Sequence, residues 1–403
     1  MGIDEDGRQA DRDGAPVSRI AGGLVFDEGC AFTRADVMIE GESFGATIDA
    51  TDGREPSDGQ APAGGSVVDA SDGYVIPGLL DIHFHGAMGE DLSDGDAKGL
   101  HTIAAYEARR GVTAICPATM TLPTDVLMAA MANAAAFSPA ADESELVGIN
   151  MEGPYISPDK VGAQNPAYVR PASVPEFNRL QDAAHGLIRL VDLAPEMPGA
   201  LDFIRAVSDD VRVSVAHTCT DYACACAAFE AGARHMTHLF NAMPSLHHRK
   251  PGPIAAAADR DDVTPEIIAD GIHIHPSMVR LAFTLFGADR MILISDSLRC
   301  CGLGDGTYML GGQQFTVRGP RATIEDGSLA GSVSDLMACM VNATQTMEIP
   351  LEDAVRAATI NPAHAIGVDD RYGSIAAGKV ASAVVLNEDL SVRHVILRGR
   401  LLR

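Results

Sequence analysis

The sequence lacks three things: an apolar stretch near the roughly 20 residues of a membrane span, a surplus of basic residues, and the cysteine spacing of a disulfide scaffold. The first absence argues against a helical membrane protein. Thirty Lys and Arg against 55 Asp and Glu give a net charge of -25, which argues against nucleic acid, whose phosphates need a basic face. Such a charge serves solubility. An anionic small molecule stays open as a ligand where a pocket is locally cationic or presents backbone N–H groups. The eight cysteines (30, 116, 219, 224, 226, 300, 301 and 339) follow no paired pattern. Cys224 with Cys226, and Cys300 with Cys301, sit too close for a zinc knuckle. They read as reduced thiols of a cytoplasmic protein. No internal repeat or low-complexity tract is visible, and the acidic start, Met1-Gly2-Ile3-Asp4-Glu5, does not read as a secretory signal.

What is present is alternation. Candidate strands at 75–83, 111–116, 146–151, 187–193, 211–216, 234–237, 266–270 and 291–295 are separated mostly by helix-like segments, such as Lys98 to Arg110, Thr124 to Phe137 and Asp221 to Ala233. Two more helices are expected after the last strand, Ser334 to Glu348 and Leu351 to Thr359. Eight such units predict an α/β fold, a (β/α)₈ TIM barrel over 75–371. Short apolar runs broken by Gly, Asp and Pro at 19–74, and again at 372–403, predict one small split β-sandwich domain built from both termini. Residues 1–18, poor in apolar side chains, are expected to be disordered.

Metal-grade side chains sit just past the apolar segments. Val75-Ile76-Pro77-Gly78-Leu79-Leu80 leads to His83 and His85, Ile149 to Glu152, Val215 to His217, Met236 to His238, and Ile294 to Asp296. His83 and His85, two apart, share one face of an extended strand. Ligands gathered at one rim of a parallel barrel explain this repeated placement; scattered core residues do not. Gly153-Pro154 is expected to stop the strand and aim Glu152 at the rim, and Asp221 to cap the next helix. Glu152, His217 and His238 form a three-ligand site that leaves room for water. His83 and His85, with a shared Glu152 and Asp296, could hold a second ion. Imidazole and carboxylate suit Zn²⁺ first, with Fe²⁺, Mn²⁺ or Co²⁺ possible. Such an ion makes hydroxide available near neutral pH. Asp296 is then the candidate acid/base, or else only a ligand. The basic loop His247-His248-Arg249-Lys250 is a candidate anion site, and His273 a candidate substrate contact. His364 is expected to pack against the barrel.

These residues carry a resemblance. Pro-Gly-Leu-Leu-Asp-Ile-His-Phe-His-Gly (77–86), Glu-Gly-Pro-Tyr-Ile-Ser (152–157), Thr-His-Leu-Phe-Asn-Ala-Met-Pro (237–244), Ile-Ala-Asp-Gly-Ile-His (268–273), Ser-Asp-Ser (295–297) and Leu-Ala-Gly-Ser (329–332) are similar to the amidohydrolase superfamily, and within it to the N-acetylglucosamine-6-phosphate deacetylases. His-x-His is generic to the superfamily; Glu-Gly-Pro, His-Leu-Phe-Asn-Ala-Met-Pro and Ala-Asp-Gly-x-His together are specific to the deacetylases. The resemblance implies a metal-dependent deacetylase of a phosphorylated N-acetyl amino sugar, usually a homodimer. It places Glu152, His217 and His238 at the common metal site, Asp296 as acid/base, and His83 and His85 as an extra pair found in some members. Asn241, Ala242 and His273 match substrate contacts. Arg249 matches a phosphate-binding Arg that some members take from the neighbouring subunit. One departure is Gln164, where many members carry a substrate-contacting His; it bears on which sugar epimer is preferred. Competing expectations are an N-acetylgalactosamine-6-phosphate deacetylase, a D-aminoacylase, a cyclic-amide hydrolase, or a scaffold without chemistry.

Overall fold

The computed structural model describes residues 14–49 and 65–402. Most of the segment expected to be disordered therefore lies outside the described residues, and its last two positions, Val17 and Ser18, already belong to a strand. Five strands open the described chain: β1 (Val17–Phe26), β2 (Phe32–Glu40), β3 (Ser43–Asp49), β4 (Ser66–Asp69) and β5 (Tyr74–Pro77). Strand β1 bends at Gly22-Gly23, where its register with β2 shifts; its first half pairs β4 and its second half β5, both in parallel. A Cβ on Gly23 would meet Val75 Cγ2 at 2.6 Å, so only glycine lets β5 pass this close.

Nine parallel strands in two runs follow: β6 (Leu79–Asp81), then, after a short ribbon of β7 (Gly86–Ala87) and β8 (Glu90–Asp91), β9 (Val112–Ile115) and its pairing partner β10 (Glu145–Leu146), and then β11 (Ile149–Tyr155), β12 (Ile188–Leu193), β13 (Arg212–Val215), β14 (His235–Met236), β15 (Thr264–Ile268) and β16 (Ile292–Ile294). Their side chains are almost wholly buried, as expected of strands covered on both faces. Helices α1 (Ala97–Arg109), α2 (Thr124–Ala135), α3 (Val174–Ala183), α4 (Ala200–Val207), α5 (Tyr222–Ala231), α6 (Gly252–Ala258) and α7 (Pro276–Phe286) lie between successive strands from β8 onward. Side-chain caps start several of them: Asp96, Ser173 and Asp221 each accept a first-turn N–H. In α4, Ala200, Phe203, Ile204 and Val207 repeat at helical spacing and face the core. The result is a TIM-barrel-type fold with a separate sheet domain.

After β16 comes an element the sequence reading missed, a four-stranded antiparallel sheet of β17 (Gly306–Leu310), β18 (Gln313–Arg318), β19 (Arg321–Ile324) and β20 (Leu329–Gly331). The pair Gly311-Gly312 between two alternating segments was its readable hairpin signal. Helices α8 (Leu336–Gln345), α9 (Leu351–Ala358) and α10 (Ile360–Ile366) then return the chain to β21 (Ala383–Leu386), β22 (Val392–Leu397) and β23 (Arg400–Leu401). These pair onto β5 in the order β23-β22-β21-β5-β1-β2-β3, so the expected sandwich is one mixed sheet of eight strands. It folds around its own core, which includes Ile20, Val37, Phe44, Val75, Val385 and Ile396, and Pro16 bridges back to Arg400.

Two local expectations are corrected. Gly153-Pro154 does not stop β11, which runs on to Tyr155; its register with β12 shifts between Glu152 and Tyr155, so the carboxylate emerges at an irregularity and not at a strand end. His364 does not pack inward: its side chain is 62% exposed and pairs with Asp369. No helix among the described residues is long and apolar enough to cross a membrane.

Candidate metal centre and active site

His83 and His85 stand just beyond the C-terminal end of β6, and His217, His238 and Asp296 just beyond those of β13, β14 and β16, while Glu152 lies within β11 at its register shift. Three of these residues hold left-handed backbone that an L side chain rarely adopts: His217 (φ 42°), His238 (φ 28°) and Asp296 (φ 49°). Such strain persists only where surrounding contacts impose it. At Asp296 those contacts are explicit, since its N–H donates to His83 O (2.9 Å) and its carbonyl accepts from Ser332 N (2.8 Å).

Glu152 is the hub. Its Oε1 lies 3.0 Å from His217 Nε2, 3.3 Å from His238 Nε2 and 3.5 Å from His83 Nε2. Its Oε2 lies 3.3 Å from His85 Nε2. His217 and His238 present their Nε2 atoms to one another at 3.1 Å. Asp296 Oδ1 completes the ring, 3.5 Å from His85 and 3.9 Å from His83. All six side chains are buried or nearly so.

The donor set fits a cation. Ligand atoms held about 2.0–2.1 Å from a tetrahedral ion stand about 3.3 Å apart, close to the separations among Glu152, His217 and His238. Two groups, His83–His85–Glu152 and Glu152–His217–His238, each bring one ligand atom per residue within 4.8 Å of the others. The tautomers agree: Lys160 O takes His217 Nδ1–H at 2.8 Å, and Glu266 faces His83 Nδ1 at 3.0 Å, leaving both Nε2 lone pairs for the centre. His83 Nε2 has no hydrogen-bond partner. Burial opposes charge on Glu152, yet the charge of His83 and the close contacts of His217 and His238 outweigh it and hold its carboxyl well below the usual range. Burial likewise opposes a charged His83, and Glu266 and Glu152 overcome it, lifting that ring well above its ordinary value. A field that favours a proton on a buried imidazole also favours a divalent cation in its place.

A cavity of about 380 Å³ opens above the cluster. Its wall includes His85, Glu152, Gln164, His217, His238, Asn241, Ala242, His273 and Asp296, with Leu329 to Gly331 of β20 as part of the rim. His273 donates to Asp270 through Nδ1 (2.7 Å); burial works against its charge, and Asp270 more than compensates, so its pKa is raised. Asn241 folds back on the carbonyls of His238 and Leu239. Arg249 is not brought to the cavity: it lies on the exposed loop, its guanidinium against His248. A larger hollow of about 910 Å³ lies along β18 and β19. It holds no histidine or cysteine and does not touch the cluster, so catalytic chemistry belongs with the smaller one.

The sequence reading missed two carboxylates. Glu266 in β15 is fully buried and joins His83 Nδ1 (3.0 Å), His235 Nε2 (2.9 Å) and the His238 N–H (3.1 Å). Asp270 orients His273. A lone Glu inside Thr264-Pro265-Glu266-Ile267-Ile268, an otherwise uncharged strand, was the available signal.

The fold and its carboxylate–histidine centre define a class, barrel enzymes that use bound metal for hydrolysis. The amidohydrolase family profile matches residues 74–402, and the chain belongs to that family. Within it, the chain is 39% identical to an N-acetylglucosamine-6-phosphate deacetylase of Bacillus subtilis, over 85% of this chain and 86% of that one. It is 33% identical to an N-acetylgalactosamine-6-phosphate deacetylase of Escherichia coli O157:H7, over 83% and 89%. Among solved structures it is similar to a mutant N-acetyl-D-glucosamine-6-phosphate deacetylase of Mycobacterium smegmatis in complex with N-acetyl-D-glucosamine-6-phosphate, with a TM-score of 0.88, 30% identity and coverage of 96% of this chain and 100% of that one.

Proposed function

We propose that this chain hydrolyses the acetamide of N-acetyl-D-glucosamine 6-phosphate, releasing acetate and D-glucosamine 6-phosphate. The observation that carries the reading is the convergence of His217, His238 and His83 on one oxygen of Glu152, with Asp296 beside them at the base of the cavity. The deacetylase names of the relatives support it. Glu152, His217 and His238 would hold one divalent ion, and where a second binds, His83 and His85 would hold it with a shared Glu152. Zn²⁺ is the first choice for this donor set, with Fe²⁺, Mn²⁺ and Co²⁺ as alternatives. A bound ion supplies a water of near-neutral acidity and polarises the amide carbonyl. Asp296 accepts the proton of the attacking water and delivers it to the departing amine nitrogen, so the leaving group goes as a neutral amine. His273, anchored by Asp270, steadies the substrate from the cavity wall, and Asn241 and Ala242 flank the sugar phosphate.

The same reading extends to the scaffold. The two runs of parallel strands close into a (β/α)₈ barrel: Asn150 bonds Pro117 O and the Thr119 N–H at one seam, and Ser295 Oγ donates to Asp81 (2.5 Å) at the other. The sheet domain takes the expected 19–74 and 372–403 together with Val17, Ser18 and the rest of β5 to Pro77, and the barrel takes what lies between Pro77 and 372. Arg249, outside its own cavity, reaches the phosphate of a second copy, which makes the working unit a homodimer. All eight cysteines are free, which fits the reducing cytoplasm.

Acetate release from the N-acetylglucosamine and N-acetylgalactosamine 6-phosphates, with N-acetyl amino acids as controls and metal content measured in parallel, tests the reading. The glucosamine derivative is the expected preferred substrate. Release from neither sugar phosphate by metal-loaded protein would overturn it. A companion expectation concerns Glu266→Gln, which weakens the grip on His83: metal affinity should fall about 10- to 100-fold, read by competition with a chromogenic chelator. Unchanged affinity would remove Glu266 from the metal's support.

A further inference from the structure

We infer that Gln164 is a positioning residue for Glu152, not a contact for the sugar; this rests on the reading above in which Glu152 is the shared metal ligand. Gln164 is 3% exposed. Its Oε1 accepts the Thr121 N–H at 2.6 Å. A backbone N–H demands an oxygen, so the amide has one orientation, and its Nε2 is turned to Glu152 Oε2, to which it donates. The terminal torsion of a glutamate is broad and roughly two-fold. Without a donor on one side, the carboxylate could share its oxygens among four histidines in several ways. The Gln164 amide removes that freedom: Oε2 is the oxygen it holds, beside His85, and Oε1 is the oxygen left to His217, His238 and His83. A neutral amide suits this task. A second carboxylate here would repel Glu152, and an imidazole, with one donor and one acceptor in a rigid ring, does not reproduce the amide's span.

The loop that carries Gln164 is itself held on both sides. Gln164 N–H closes a turn on Val161 O (2.9 Å), Gln313 Nε2 donates to Ala163 O (2.9 Å), and Asn165 Nδ2 to Gly311 O (3.2 Å). The β17–β18 turn thus clasps the residues flanking Gln164. The same loop provides Lys160 O, which sets the His217 tautomer. One segment therefore orients both the shared carboxylate and a histidine facing it, which gives the inserted four-stranded sheet a part in building the metal centre.

The test uses full-length Q164L and Q164N beside wild type. It measures Zn²⁺ affinity by chelator competition, melting temperature, and kcat and KM on both sugar 6-phosphates at saturating metal. Q164L should lose Zn²⁺ affinity about 10- to 100-fold, the range for groups that orient metal ligands. Q164N, too short to span both partners, should fall between the two. At saturating metal, KM should stay within about twofold and the ratio of the two epimers should not move, as for a group that does not bind substrate. Zn²⁺ affinity equal to wild type with a raised KM or a shifted epimer ratio would make Gln164 a sugar contact and overturn the inference. If Q164L melts early, Q164N at the wild-type melting temperature decides. If neither sugar is turned over, the fault lies with the assigned reaction, and the Zn²⁺ measurement still decides the role of Gln164.

Discussion

Asp296→Asn should keep its metal and lose about 10²- to 10⁴-fold in kcat, the range for removing a positioned acid/base. The substitution keeps shape and removes only the ability to take and return a proton. Its backbone is pinned between His83 O and Ser332 N, so the neighbours have no cause to move. Its Oδ1 lies 3.5 Å from His85 Nε2 and 3.9 Å from His83 Nε2, whereas Glu152, His217 and His238 meet without it. Metal analysis of the purified variant should therefore match wild type at that site, while acetate release collapses. Turnover at the wild-type rate would remove Asp296 from the proton transfer; loss of all metal would make it a ligand before anything else.

Glu152→Ala is expected to act at the other level. This side chain meets four imidazoles, and both candidate ion groups depend on it. Its removal should leave less than one ion per chain after purification, and a loss of affinity beyond the roughly 10- to 100-fold typical of a group behind the ligands. Turnover should fall with the metal, and adding excess divalent ion should restore little of it. A variant that kept two ions per chain would show that the histidines hold metal unaided, and the role of the shared carboxylate would fall.

The contrast between these two residues shows what was readable along the chain. His83 and His85 were legible as a His-x-His pair directly after an apolar run, although β6 ends at Asp81 and both stand just beyond it. Glu152, His217, His238 and Asp296 were legible because each follows an apolar run, and the end of a buried parallel strand is where polar groups become useful. The described structure brings all six together. Glu266 was missed because a single Glu in a short strand looks like an irregularity until His83, 183 residues earlier in the chain, is found against it. Gln164 was noticed for its residue type, and its partners Thr121 and Glu152 come from separate loops and strands. Arg249 was placed by the basic character of its loop, and composition carries no information on which cavity a loop faces.

The amino-acid sequence by itself determined the order of the barrel strands and their helices, the rim at which the candidate ligands gather, and a donor chemistry suited to a cation, because these follow from periodicity and residue type within a few positions. Only the tertiary structure decided that one oxygen of Glu152 faces three histidines, that Glu266 stands behind His83 and Gln164 beside Glu152, that the terminal strands form one sheet, and that Gly311 and Gln313 at the β17–β18 turn hold the loop carrying Gln164. Those features depend on which strand lies beside which and on angles fixed by packing across long separations, and local spacing does not encode contacts of that kind.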